Sequence, residues 1–466
     1  LRTGRQAEHR RDYLAARAGA PERGLVYPRA DLRGQRGRLP AQWLLAAASE
    51  LEGRTLYSAA LDPPPSRPWL TVVPSFEGAL AGDAEPGSEQ EYTLRSMLGW
   101  RRGGRNVLDH HVVAAIPRLH DGIGAEIARA GSDLTRWDGR LAPNAAPVPS
   151  AERPVSPTAL QHWAACPFRY LLGHVLHVAE TEKPEDTLTL TPIERGNLVH
   201  RALETFISEM PGRTSPGQRW SGDERARLLQ IGAQLCDDAV AAGITGRPLL
   251  WRLERARLLQ ALDGFLDDDE ALRAGHGVVP ADVELSFGMR DSEDAAVLVR
   301  LGGGRELAFR GRIDRVDRAP DGDRLLVLDY KTGTPDLDMY KKLHVQPVSG
   351  GKLLQLPVYA LAAQQRYGDV PAEAYYWFVR PQQYERHGYA VEPAQLDEFG
   401  RALNVIVSGM ENGLFPARPG KQSSGERFDN CGICPYDRLC SSDRARVWSR
   451  KRFVHDLRDY VELAED

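Results

Sequence analysis

Between Phe309 and Lys331 the chain reads FRGRIDRVDRAPDGDRLLVLDYK, two strands meeting at a tight turn. Asp321-Gly322 is the expected loop, because a type I′ hairpin needs positive φ at both central residues. With those two as the loop, Pro320 pairs with Asp323 and, counting outward, Asp314 falls opposite Asp329. Cross-strand partners share a face, so their Cβ atoms stand roughly 5 Å apart. Two carboxylates that close repel by about 3 kcal/mol at an effective dielectric of about 20, which a shared proton or a cation offsets. Lys331, two residues beyond Asp329, projects to the same face. Two carboxylates and a lysine there could make a hydrolytic metal site. The other reading is a solvated hairpin whose charges align, and a register slip of one residue would undo the pairing.

A second group of reactive residues lies near the end of the chain. Cys431-x2-Cys434-x5-Cys440 puts three thiols in one short stretch beside Pro435, a spacing suited to wrapping a metal. A tetrahedral thiolate site needs a fourth ligand. Cys166, in Cys166-Pro167-Phe168, is the candidate, since Cys236 lies between Leu235 and Ala239 in an apolar helical stretch. Four-cysteine zinc sites are the commoner kind, yet zinc ribbons usually pair two Cys-x2-Cys knuckles and this chain has one. Either metal would tie residue 166 to residues 431–440 and staple the two ends of one domain.

The elements that must position these groups follow from capping and periodicity. Ser156 caps a helix with Pro157 at its first position, and Leu160, Trp163, Phe168 and Leu171 supply its buried stripe. In IERGNLVHRALETF, the residues Leu198, Val199, Ala202, Leu203, Phe206 and Ile207 form one apolar helical face. His200 and Glu204 fall at its polar edge, where a histidine is ordinarily packed or solvated. Val283 to Phe287 reads as a strand, and Glu284 on it as a surface residue or an accessory carboxylate. A helix from 353 to 367 carries Gln355 and Tyr359 four apart on one face. A buried strand follows over 373–379, then an amphipathic helix over 394–410. Upstream, the arginine-rich stretch 29–38 could touch phosphates or form a solvated face, and prolines mark 63–68 as a loop. Four prolines in Asn144 to Pro157 mark a linker.

With 466 residues and 42% hydrophobic composition, two or three domains with sizeable cores are expected. A net charge of only −4 confines any nucleic-acid surface to a local patch. No run of eighteen apolar residues occurs, so no membrane span is expected. Five cysteines without a disulfide framework point to a reducing cytoplasm. Leu1-Arg2-Thr3 reads as a cut into a longer polypeptide. No Gly-x4-Gly-Lys-Ser/Thr loop is present, so ATP binding of that kind is not expected.

Taken in order, Cys166-Pro-Phe, Gly196-x3-His200, Gly311-Arg-Ile-Asp314-Arg, Asp329-Tyr-Lys331, Gln355-x3-Tyr359 and the cysteine tail resemble the PD-(D/E)XK nuclease domain of the AddB/RecB type. The resemblance is to the branch that carries an iron–sulfur cluster, and it extends over about residues 156–445. It implies an α/β fold: a restriction-endonuclease-like mixed β-sheet flanked by helices, stapled by a four-cysteine cluster and preceded by a partial helicase-like α/β region. The expected divisions are a degenerate helicase-like region over 1–143, a linker over 144–157 and the nuclease domain over 158–466. The helicase-like part rests on Tyr27-Pro28-Arg29-Ala30-Asp31 with Pro40 downstream.

The resemblance also assigns roles. His200, Asp314, Asp329 and the Tyr330 carbonyl would hold a catalytic divalent ion, with hard oxygens favouring Mg²⁺ or Mn²⁺. Lys331 would polarise the attacking water and stabilise charge on the scissile phosphate. Gln355 and Tyr359 would buttress the site or grip the DNA backbone. Cys166, Cys431, Cys434 and Cys440 would hold a structural [4Fe–4S] cluster. The implied protein is a single-strand exonuclease in double-strand break processing and recombinational repair, acting on single-stranded DNA or duplex ends with a helicase/ATPase that is a partner subunit or a missing N-terminal region. Its alternative is a catalytically silent DNA-binding or scaffolding subunit of such a complex. Arginines from 444 to 452 could steer a strand toward the site.

Overall fold

The computed structural model describes residues 2–19, 21–29, 38–61, 67–73, 75–82, 85–179, 188–210, 215–333, 337–422, 428–432 and 434–465. Residues 30–37 of the arginine-rich stretch 29–38, residues 63–66 of the proline cluster 63–68, and Ala30 and Asp31 of the helicase-like motif lie outside the described residues. Two compact units divide the chain, Leu1–His120 and Asp121–Asp466. The first has helices Arg2–Ala18, Gln42–Glu52 and Glu89–Arg102 among its described elements. A small core of Ala48, Leu56 and Leu61 sits behind the second of these. No helix among the described residues is long and apolar enough to cross a membrane.

Among the described residues the second unit has seven strands: β1 (Val279–Phe287), β2 (Val297–Arg300), β3 (Glu306–Phe309), β4 (Gly311–Arg318), β5 (Leu325–Lys331), β6 (Ala372–Arg380) and β7 (Gln383–Ala390). Five of them form one sheet in the order β1-β4-β5-β6-β7, and β2 pairs with β3 beside it. Every neighbouring pair of the large sheet is antiparallel except β5 with β6, which run parallel. That makes β5 the central strand, and its sequence LLVLDYK is buried along nearly its whole length. A strand covered on both faces reads as a continuous apolar run rather than an alternation.

Alternate residues of β5 serve two cores. Leu326, Leu328 and Tyr330 pack with three helices, α2 (Pro192–Glu209), α3 (Gly222–Ala241) and α4 (Pro248–His276). Leu325 and Val327 pack with α1 (Pro157–Ala165), α5 (Gln355–Tyr367) and α6 (Pro393–Glu411) on the opposite face. The caps are the ones the composition foretells. Ser156 accepts from the Ala159 amide at the start of α1, and a Thr191–Glu194 capping box with Pro192 opens α2. Pro357 falls in the first turn of α5, where its missing N–H costs nothing.

Two local expectations change. The β4–β5 turn is not type I′: of its two central residues only Gly322 has positive φ, +80°. Pro320 fixes φ near the value of the second position of an ordinary turn, so the Gly322 amide bonds the Ala319 carbonyl at 2.8 Å and Ala319 closes on Arg324 at 3.0 Å. The loop grows by one pair without shifting the ladder, so the counted register holds, with Arg315 opposite Leu328 and Arg318 opposite Leu325. Residues 144–157, expected as a linker, are sewn onto β3. The Val155 amide bonds Ala308, the Arg310 amide bonds Val155, and Ala146 and Val155 are buried. Edge pairing that needs donors at few positions tolerates this proline content.

Candidate active site

The β4–β5 ladder runs from Arg318–Leu325 to Arg315–Leu328. One residue farther on, Asp314 and Asp329 stand at the mouth of a fork between the strands. There the Tyr330 amide bonds the side chain of Asp314, at Oδ2, at 2.6 Å instead of a strand carbonyl. His200 enters the fork from α2, held by the apolar face that buries Val199, Ala202 and Leu203. Its Nδ1 lies 3.2 Å from Asp314 Oδ1 and its Nε2 3.1 Å from the Tyr330 carbonyl. A doubly protonated ring satisfies both oxygens. Burial opposes that charge, but the hydrogen bond to Asp314 and the charges of Asp314 and Asp329 outweigh it and raise the His200 pKa.

Across the fork, β5 and α5 hold a second set of contacts. Lys331 forms an ion pair with Asp329 and donates to Gln355 Oε1 at 3.1 Å. The Gln355 amide in turn donates to Asp329 Oδ1 and to the Tyr359 hydroxyl, each at 3.2 Å. Burial first, and Asp314 with it, pushes the Asp329 carboxyl up to about 6 even against the Lys331 charge. Burial lowers the Lys331 pKa, yet the Asp329 charge and hydrogen bond prevail and raise it. Asp329 thus favours the ammonium form of Lys331, which can donate to an anionic oxygen. Gln355 ties lysine, aspartate and tyrosine together and so fixes the lysine's aim.

The residue that sequence reasoning underrated is Glu284. β1 pairs with β4 through Val283–Arg315 and Leu285–Ile313, which sets Glu284 across from Asp314. Ligand atoms of His200, Glu284 and Asp314 lie within 4.8 Å of one another. Burial, with the charges of Asp314 and Glu204, raises the Glu284 pKa. Its φ is +51°, a left-handed conformation that costs a non-glycine residue about 1–3 kcal/mol and collects at functional sites. Extending the pairing count from β4 to β1 would have found it. The expected set of His200, Asp314, Asp329 and the Tyr330 carbonyl is brought together, but Glu284 rather than Asp329 completes the tight group, because Lys331 and Gln355 occupy Asp329. The donor set, imidazole with carboxylate and carbonyl oxygens, fits a hard divalent cation.

At the far end of α1 the helix stops at Cys166, whose Sγ accepts from the Arg418 amide at 3.4 Å. The Asn430 side chain bonds the Ala165 carbonyl at 2.7 Å, and the Tyr436 hydroxyl bonds the Val178 carbonyl at 3.0 Å. The segment carrying Cys431, Cys434 and Cys440 therefore packs on the one carrying Cys166. Burial, then the other thiols, pushes the Cys440 thiol up to about 11. Among the described residues the sulfurs do not form a group within 4.8 Å, as His200, Glu284 and Asp314 do. Cys236 is buried in the other core. Cations of the basic stretch 444–452 have structural partners. Arg444 pairs with Asp437, Arg452 pairs with Glu465, and buried Lys451 binds Asp138 at 2.8 Å and two carbonyls.

Comparison with known proteins places this geometry. Residues 154–441 match the PD-(D/E)XK nuclease superfamily. A protein of Moorella thermoacetica, named as the B-type subunit of an ATP-dependent helicase/deoxyribonuclease, is 30% identical over 47% of this chain and 18% of its own length. One of the same name from Symbiobacterium thermophilum is 28% identical over 75% of this chain and 29% of its own. The chain thus spans less than a third of either relative. The solved structure titled "Crystal structure of SSO0001" aligns at 14% identity over 57% of this chain and 91% of that one, with a TM-score of 0.21, too low to bear on the fold. The chain belongs to the PD-(D/E)XK nuclease superfamily, and its 154–441 segment is an AddB-like domain of that superfamily.

Proposed function

We propose that this chain is the nuclease part of a helicase–deoxyribonuclease subunit, hydrolysing phosphodiesters of single-stranded DNA from an end during double-strand break processing in the cytoplasm. A helicase partner delivers the strand. The observation that carries the reading is the arrangement at the fork: Lys331, aimed by Asp329 and Gln355, beside the His200–Glu284–Asp314 group. His200, Asp314, Asp329 and the Tyr330 carbonyl, with Glu284 beside them, would hold Mg²⁺ or Mn²⁺. Such an ion acidifies a water and neutralises charge on the phosphate. The Lys331 ammonium donates to a phosphate oxygen as charge builds on it. Gln355 and Tyr359 keep that ammonium in place. His200 must release a proton before either nitrogen can serve as a ligand.

Cys166, Cys431, Cys434 and Cys440 would hold a [4Fe–4S] cluster with a structural role. The reading is supported by the packing of the Cys431–Cys440 segment on the segment that carries Cys166. The test of the main reading is cleavage of end-labelled single-stranded DNA by anaerobically purified protein, in Mg²⁺ and in EDTA. Lys331→Ala is expected to lower the rate by about 10²–10³, the scale of losing one transition-state donor. Tight DNA binding with no Mg²⁺-dependent cutting by the parent protein would overturn it in favour of a silent subunit.

A further inference from the structure

Beside the fork, on the helix side of the sheet that carries α2 and α4, a cleft of 390 Å³ opens. Arg195 and Val199 of α2, Glu254 and Arg257 of α4, Thr332 and Arg380 stand in its walls. Val199 precedes His200 and Thr332 follows Lys331, so the cleft begins one residue from the fork along two separate elements. Arg380 ends β6, and β5 and β6 are the parallel pair. The crevice outside the carboxyl ends of parallel strands is where open α/β sheets take ligands.

Charge sets what the cleft can take. Three guanidiniums face one carboxylate, and that carboxylate, Glu254, is held by Arg195 at 2.5 Å. Among the described residues, neither the Arg257 nor the Arg380 side chain makes a hydrogen bond or ion pair. The basic stretch near the cysteines differs in this respect, since its cations are taken up by aspartates, glutamates and carbonyls. Two uncompensated guanidiniums in one cleft with Thr332 match phosphodiester oxygens, which arginine binds in a planar fork. The volume lies near the lower end of small-ligand pockets, about 300–1,000 Å³.

We infer that this cleft holds the backbone of the DNA strand being cut, a nucleotide or two from the phosphate at the fork, with Arg257 and Arg380 on separate phosphates. The inference rests on the nuclease reading and adds the strand's path. The test is binding, so it does not need cutting. Fluorescein-labelled oligothymidylate is titrated by anisotropy into the 466-residue chain carrying Lys331→Ala, at several salt concentrations. Arg257→Gln/Arg380→Gln is expected to weaken binding on the order of tenfold and to shrink the log–log salt slope by about 1.4, two single-strand phosphates at about 0.7 each. Arg257→Lys/Arg380→Lys should restore most of the salt slope. Arg252→Gln/Arg401→Gln, which removes the same charge away from the cleft, should leave it alone. Equal affinity and slope in the cleft variant and its parent, both folded by circular dichroism, overturn the strand path and leave the nuclease reading intact. A parent that binds no DNA overturns both.

Discussion

Beneath Tyr330 lies a fully buried ionic network whose disruption should show an unusual pH signature. Arg315 of β4 contacts Asp269 of α4 at 2.7 Å and grips Asp317 through Nε at 2.5 Å and Nη2 at 2.7 Å. Asp269 keeps further partners, Arg273 and the Trp220 indole, each at 2.7 Å. Asp317 has only Arg315 among the hydrogen bonds and ion pairs of the described residues. Replacing Arg315 by methionine therefore strands Asp317, and breaking a buried pair from one side costs about 3–5 kcal/mol. Burial already holds the Asp317 carboxyl above its ordinary value despite the guanidinium, and without Arg315 it rises further. A carboxyl whose folded pKa exceeds the unfolded one binds a proton that the unfolded chain releases, so stability falls as pH climbs through the raised value. The penalty relative to the parent protein should therefore be smallest at about pH 5, nearer the 1–3 kcal/mol of lost hydrogen bonds, and largest at about pH 8. Urea unfolding at both pH values measures it. Arg315→Met/Asp317→Asn, which has no charge to strand, should lose the pH dependence. An equal penalty at both pH values, or a double variant that keeps the slope, would refute the reasoning.

Glu284→Gly separates strain from ligation. Relief of the +51° φ and of repulsion from Asp314 should stabilise the protein by about 1 kcal/mol in EDTA, while the rise in melting temperature on adding Mg²⁺ should shrink. A variant less stable than its parent in EDTA would contradict this. The two motif glycines should behave differently. A Cβ at Gly311 would meet Phe287 Cζ at 2.9 Å and Tyr359 Cε1 at 3.3 Å, so Gly311→Ala should cost about 1–3 kcal/mol and disturb the Tyr359–Gln355 contact. A Cβ at Gly196 would meet Thr332 Oγ1 at an ordinary 3.6 Å, so Gly196→Ala should raise stability by about 0.5–1 kcal/mol, the helical advantage of alanine. Thermal denaturation of both variants checks the contrast.

The site was legible in the sequence to the extent that local rules govern it. Counting pairs outward from Asp321-Gly322 gave the right ladder even though Pro320 changes the turn, because lengthening a hairpin loop by one residue on each side preserves the pairing sum. The apolar stripe of α2 located His200 at a helix edge, and helical spacing put Gln355 and Tyr359 on one face. What alternation cannot reveal is where a ladder stops. Had β4 and β5 stayed paired two steps farther, to Ile313–Tyr330, the Tyr330 amide would have met a backbone carbonyl rather than Asp314, and its own carbonyl would not face His200. At that stopping point Arg315, the last residue of β4 paired with β5, contacts Asp269 of α4, a contact across 46 positions of sequence that no periodicity encodes. The same divergence explains why Glu284 was underrated. A glutamate on a strand is ordinarily solvated, and only a left-handed residue opposite the opening turns a surface carboxylate into a third wall of the fork. The chemistry of this chain is thus a property of a broken ladder, and changes that extend the β4–β5 pairing should damage the site without touching any of its side chains.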